Sequence, residues 1–100
     1  MDLTAQQLND QLKNGSDAQI VDVREDAEVA GGMIAGARHI PLGDLAAKMG
    51  ELDKARPVVA VCRSGRRSAA AADQLTAAGF TAYTMTGGML DWAAAGLPAG

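Results

Sequence analysis

Hydrophobic positions along the chain fall in short blocks whose period switches between two and about four. Leu3 and Leu8 flank a polar segment in which Thr4 and Gln7 stand three residues apart. That is the spacing of a capping box with a hydrophobic staple. The helix it predicts runs to about Asn14, where Gly15 can end it in a left-handed conformation. AQIVDV, residues 18–23, is rich in β-branched side chains and predicts a short buried strand. REDAEVAGG, residues 24–32, is polar and predicts no more than a helical turn. RHI precedes Pro41, and the residue before proline prefers extended geometry, so a second short strand is expected there. In residues 42–52, Leu45, Met49 and Leu52 recur at helical spacing. Val58–Val61 is wholly apolar and is the best candidate for a central strand. From residue 68 to 78, Ala71, Leu75 and Ala78 share one helical face. Gly79 then suits the position after the helix end, and Phe80 can contact Leu75 across that turn. TAYTM, residues 81–85, predicts another strand. GGMLDWAAAG, residues 87–96, predicts a glycine turn and a short helix that turns Met89 or Leu90, and Trp92 or Ala93, inward. Pro98 closes the chain, and no repeat, linker or low-complexity tail interrupts it.

Strands alternating with helices argue for an α/β domain with a mostly parallel sheet. One hundred residues fit a single compact domain, residues 1–100, and leave no room for two. Apolar residues make up 48% of the chain, enough for a core at this size. Much of that share is alanine, so Phe80, Tyr83 and Trp92, one of each aromatic type, should matter individually for packing. The five methionines are expected to fill gaps in that small core. The net charge of -3 and the pI of about 4.9 argue against nucleic acid or anionic membrane as a partner. A single cysteine excludes an internal disulfide, and with a single histidine it leaves no structural zinc set within one chain. No stretch approaches the length of a membrane span, and the first residues lack a signal-peptide pattern; the expected compartment is the cytoplasm.

The single cysteine sits where the apolar run stops. VVAVCRSGRRSAAAADQL, residues 58–75, takes Cys62 to the carboxyl end of the strongest predicted strand. In parallel α/β sheets that is where ligands bind. Cys62, Arg63, Ser64, Gly65, Arg66 and Arg67 would form the loop between this strand and a helix from Ser68. A tight loop feeding a helix aims free N–H groups into one concavity, and the helix start adds partial positive charge. The anion held there can be the cysteine's own thiolate, whose pKa such surroundings lower. The arginines would attract anionic substrates to it in an otherwise acidic chain. A buried strand cysteine is often just a small inert hydrophobe, but glycine, three arginines and the thiol in one short loop point to chemistry. Two chemistries use such a thiolate: phosphoester hydrolysis and sulfur transfer through a persulfide. The phosphatase pattern C-x5-R needs arginine at the sixth position after cysteine. Here that position is Ser68, and Arg67 stands at the fifth. The shorter loop suits one added sulfur atom better than a phosphoryl group and disfavours a phosphatase or arsenate reductase.

These segments together resemble the rhodanese family, specifically its small single-domain sulfurtransferases. The resemblance rests on IVDVRED with Glu28, on GGMIAGARHIPL, on VVAVCRSGRRSAAAADQLTAAGF and on TGGMLDWAAAGLP, and so covers nearly the whole chain. It implies a central, mostly parallel five-stranded sheet flanked by helices, with Cys62 as the persulfide-forming nucleophile. It implies that the backbone amides of residues 63–67 cradle the sulfur. Where the family usually reads G-H-I-P-G-A, this chain has Met33 and Ala35 in place of the histidine and proline. Val61 precedes the cysteine, a position that is often aromatic in the family.

Other polar residues invite two readings each. Asp22 and Arg24 end the first core strand, with Glu28 a helical turn further on. An ion-pair cluster tying that loop to the sheet is the favoured reading, and support of the cysteine pocket from Asp22 is the other. His39 could serve Cys62 as a base, but a loop that already stabilises a thiolate needs none, so a strand-end role is expected. Trp92 could line the pocket and is better read as a core anchor. The expected reaction moves sulfane sulfur from thiosulfate or a related small anionic donor to a thiol, to cyanide or to a protein acceptor. No metal or organic cofactor is needed. The alternative is a persulfide carrier or a module that binds a protein partner.

Overall fold

The structure is a computed structural model and describes residues 2–100. Its elements run β1 (Asp2–Thr4), α1 (Ala5–Lys13), β2 (Gln19–Asp22), α2 (Asp26–Val29), β3 (Arg38–His39), α3 (Leu45–Lys48), β4 (Val58–Val61), α4 (Arg66–Ala77), β5 (Ala82–Thr86) and α5 (Gly88–Ala94). The five strands form one sheet in the order β1-β5-β4-β2-β3, with every neighbouring pair parallel. Parallel pairing needs a crossover between partners and buries both faces of the sheet. The apolar run Val58–Val61 accordingly takes the centre and is buried at all four positions.

Strand alternation sorts the core. Val58, Ala60 and Cys62 face one layer, with Leu45 and with Ala71 and Leu75 of α4. Val59 and Val61 face the other, with Leu8 of α1, Met85 and Trp92 of α5. The side chain of Cys62 is therefore placed on the α4 face by the same period of two that buries the valines. Phe80 and Trp92 are both buried, one in each layer, whereas Tyr83 is half-buried. Met85 is buried, and Met49 and Met89 pack at the core margins.

The local signals fold as their chemistry dictates. Thr4 and Gln7 complete a reciprocal capping box on α1. Helix α4 ends with Gly79 at φ 95°, and the Phe80 amide donates to the Leu75 carbonyl, closing the turn as expected. Three features differ from the sequence reading. β1 was not expected: its three residues alternate exposed, half-buried and exposed, and only pairing with β5 defines it. Residues 42–52 do not form one helix. A 3₁₀ turn at Leu42–Asp44, the four-residue α3 and a 3₁₀ turn at Met49–Glu51 follow one another, while Leu45 and Leu52 still reach the core. Helix α4 starts at Arg66, two residues before Ser68.

β2 and β4 are neighbours, yet their following strands lie on opposite sides of them: β3 beyond β2, and β5 beyond β4. Connections that leave in opposite directions open a crevice at the carboxyl ends, the usual ligand position in such sheets. Cys62 stands at this point.

Candidate active site

The loop after β4 is built by a clamp on its outer side. The Met89 amide donates to the Cys62 carbonyl at 2.8 Å, and the Leu90 amide donates to the Arg63 carbonyl at 3.0 Å. A trans peptide is planar, with its N–H and C=O pointing opposite ways. Fixing these two carbonyls toward α5 turns the Arg63 and Ser64 amides the other way. Gly88 permits the contact: a Cβ there would lie 2.4 Å from both carbonyl oxygens. Gly65, at φ 105°, then bends the chain into α4, a conformation that strongly favours glycine.

The result is a cup around sulfur. The Gly65 amide donates to Cys62 Sγ at 3.0 Å, and Ser68 Oγ lies 3.4 Å from it. Burial pushes the Cys62 thiol up. The Ser68 hydroxyl and the backbone amides of Ser68, Gly65 and Ser64 more than offset this, so the thiol titrates below its ordinary value. Cys62 is 1% exposed, so the sulfur is recessed and offers itself only to a small or slender group. Ser68, on the first turn of α4, is fully buried, and its hydroxyl also reaches the Gly65 carbonyl at 3.2 Å and Thr84 Oγ1 at 2.6 Å.

The arginines divide into two kinds. Arg63 and Arg66 are exposed, and no carboxylate pairs with them among the described residues. Arg67 does not act as a third free cation. It belongs to α4, and its guanidinium grips Glu28 of α2 with two bonds of 2.5 and 2.8 Å. This bidentate bond, with a further bond from the Glu25 amide, holds the Glu28 carboxyl down at about 2. The same pairing raises Arg67 further.

Asp22 and Arg24 form a separate buried pair. Arg24 Nη2 meets Asp22 Oδ2 at 2.8 Å and the Gly32 carbonyl at 2.9 Å, while its Nε donates to both Asp22 oxygens. The Asp22 carboxylate turns back on its own segment, and no hydrogen bond links it to Cys62. Glu28 is not a member of this pair. It connects the β2 end to α4 through Arg67. His39 closes β3 with Nε2 2.7 Å from the Arg24 carbonyl, a strand-end role away from the sulfur. Trp92 is 2% exposed and donates Nε1–H to the Pro98 carbonyl, as a core anchor does. Sequence reasoning missed two contributors to the cup: the glycine-led start of α5 and Thr84. The available signals were paired glycines directly after a strand, and a threonine at an inward strand position.

The parallel five-stranded sheet with flanking helices defines an α/β domain, and the strand-end thiol beside backbone donors is its candidate site. The chain belongs to the rhodanese-like domain family, whose model matches residues 4–95. It is 37% identical to a sulfurtransferase of Allochromatium vinosum, over 97% of this chain and 92% of that protein. It is 34% identical to the thiosulfate sulfurtransferase GlpE of Pseudomonas aeruginosa, over 90% of this chain and 81% of the relative. The crystal structure of a rhodanese-related protein from Thermoplasma volcanium superimposes with a TM-score of 0.91 at 30% identity, covering 99% of this chain and 96% of the other.

Proposed function

We propose that this protein is a sulfurtransferase that carries sulfane sulfur on Cys62, with thiosulfate as a donor. The observation that carries the reading is the cup: the Gly65 amide donates to the Cys62 sulfur, Ser68 Oγ lies 3.4 Å from it, and Arg67 is held by Glu28. The Cys62 thiolate attacks the outer sulfur of thiosulfate. The bond between the two sulfurs of the donor breaks, and its electron pair leaves with sulfite. The new persulfide carries its negative charge on the outer sulfur, where loop amides can receive it. Cyanide or a thiolate then attacks that outer sulfur, and the electron pair of the disulfide bond returns to Sγ. Each half-reaction is a displacement, so ping-pong kinetics follow and no external oxidant, metal or organic cofactor is required. Arg63 and Arg66 draw the dianion to the recessed sulfur.

Two features stand against phosphate chemistry. Position six after the cysteine holds Ser68, whose hydroxyl is committed to the sulfur and Thr84. Arg67, one position short, is held by a carboxylate that a phosphoryl group would have to displace. The test is intact mass spectrometry after thiosulfate treatment. Wild type should gain the mass of one sulfur atom and lose it to a thiol reductant, while Cys62→Ser should gain nothing and transfer nothing to cyanide. Cys62-dependent hydrolysis of an aryl phosphate without sulfur transfer would overturn the assignment. Turnover with thiosulfate, set against transfer from or to a protein thiol, separates a free enzyme from a dedicated carrier.

A further inference from the structure

The reaction scheme above gives Thr84 no part, yet its hydroxyl is buried in line with the nucleophile. Thr84 lies on β5 and is 9% exposed, and its Oγ1 is 2.6 Å from Ser68 Oγ. Ser68 Oγ is in turn 3.4 Å from Cys62 Sγ and 3.2 Å from the Gly65 carbonyl. A serine hydroxyl has one proton and two lone pairs. If Ser68 gave its proton to Thr84, neither the sulfur nor the Gly65 carbonyl would receive it. The Thr84 proton would also have no acceptor among the hydrogen bonds of the described residues, a costly state for a buried donor. The consistent assignment is that Thr84 donates to Ser68. The Ser68 proton is then free for two acceptors. With Cys62 as a thiol, S–H points into Ser68 Oγ and Ser68 donates to the Gly65 carbonyl. With Cys62 as a thiolate, the Ser68 proton turns to the sulfur, since a charged acceptor makes the stronger bond.

We propose that Thr84 is a positioning residue of the sulfur site: by filling a lone pair of Ser68, it keeps the serine proton available to the Cys62 sulfur. The consequence for catalysis rests on the sulfurtransferase reading. When an acceptor attacks the persulfide, the sulfur–sulfur bond breaks and its electron pair returns to Sγ. A polarised Ser68 hydroxyl stabilises the charge that appears there, and donation from Thr84 strengthens it cooperatively. No charge need change for this to operate. Around the cup, Arg67 of α4 is balanced by Glu28 of α2, Asp22 of β2 is balanced by Arg24, and Arg63 and Arg66 are exposed. On the β5 side the contributing group is the neutral threonine.

The experiment compares the full chain with Thr84→Val, Thr84→Ser and Ser68→Ala. The first measurement is the pH midpoint of thiolate ultraviolet absorbance and of alkylation, neither of which depends on sulfur transfer. In Thr84→Val the midpoint should rise, and the thiolate fraction below the midpoint should fall about threefold to tenfold, the scale of one hydrogen bond. Thr84→Ser should return to near wild type, and Ser68→Ala should shift at least as far as Thr84→Val. If the valine variant does not fold, Thr84→Ala also lacks the hydroxyl and carries the same expectation. In steady state, kcat with cyanide should fall in Thr84→Val and recover in Thr84→Ser. A wild-type midpoint in the variants lacking the hydroxyl would overturn the proposal. So would a serine variant that behaves like valine, because packing would then be the whole role of Thr84. Wild type that titrates as expected but never carries sulfur would sink the proposed function and leave the relay standing.

Discussion

The carboxyl ends of β2 and β4 are neighbours in register, Asp22 beside Val61, and they are finished in opposite ways. At the end of β2 the polar groups satisfy one another. Asp22 and Arg24 neutralise each other, and Arg24 spends its remaining donors on the carbonyls of Glu28 and Gly32. At the end of β4 it is the carbonyls that are satisfied, by α5, and the donors that are left to face a sulfur atom. A strand end becomes inert scaffold when donors and acceptors are matched locally. It keeps donors free for a side chain when the acceptors are paired by another element. Charge count alone would not tell these ends apart, since both carry arginine.

Three changes should break or sharpen that contrast. The largest effect is expected at the closed end. Asp22→Ala leaves Arg24 charged and buried without its partner, a loss on the order of 3–5 kcal/mol. Chemical denaturation should show this as a lower midpoint, while sulfur transfer per folded molecule falls far less. Loss of transfer with unchanged stability would show that Asp22 serves the sulfur directly. At the open end the expectation reverses. Gly88→Ala drives a methyl group against the Cys62 and Arg63 carbonyls and tilts the amides out of the cup. Transfer should drop by about a hundredfold, the scale of losing a preorganised donor. The alkylation midpoint of Cys62 should rise with it. An alanine variant with wild-type turnover would mean that the clamp does not orient the loop.

The smallest effect belongs to the bridge between the two ends. The Glu28 carboxyl is held at about 2 against an ordinary 4.5, chiefly by Arg67. A depressed carboxyl stabilises the fold above its ordinary value, and that contribution fades as pH falls from about 4.5 through about 2. Glu28→Gln should therefore be less stable than wild type at neutral pH, by about 1 kcal/mol for a partly exposed pair. The gap should close on acidification across that window. Urea denaturation at several pH values measures it, and a gap that persists to pH 2 would contradict the pairing.

What could be read from the sequence divides along the range of the interactions. Thr4 with Gln7, and Gly79 with Phe80, are settled within a turn of helix, so their residue types announce them. The alternation through Val58–Val61 and into Cys62 is equally local, and Gly65 marks the turn that follows it. β1 escaped notice because an edge strand with exposed ends has no apolar run, and its partner β5 comes at the far end of the chain. The start of α4 was misplaced because its cap is Gly65, which has no side chain to advertise the role. Arg67 was expected among the free cations because its carboxylate partner lies 39 residues away. Thr84 likewise belongs to the sulfur site only through Ser68, across two elements of the fold.

The clamp of α5 on the cysteine loop also orders events in time. The carbonyls of Cys62 and Arg63 are met by Met89 and Leu90 of α5, which follows β5 in the chain. During synthesis from the amino terminus, the thiol appears well before the peptide groups that orient its surroundings. Until β5 has joined β4 and the Met89 and Leu90 amides have docked, the peptide groups that follow Cys62 and Arg63 are not yet fixed in their final orientation. Contacts this distant along the chain form late, after the entropy of closing the intervening loop has been met. The arrangement of the loop around Cys62 is thus settled only once β5 and α5 are in place.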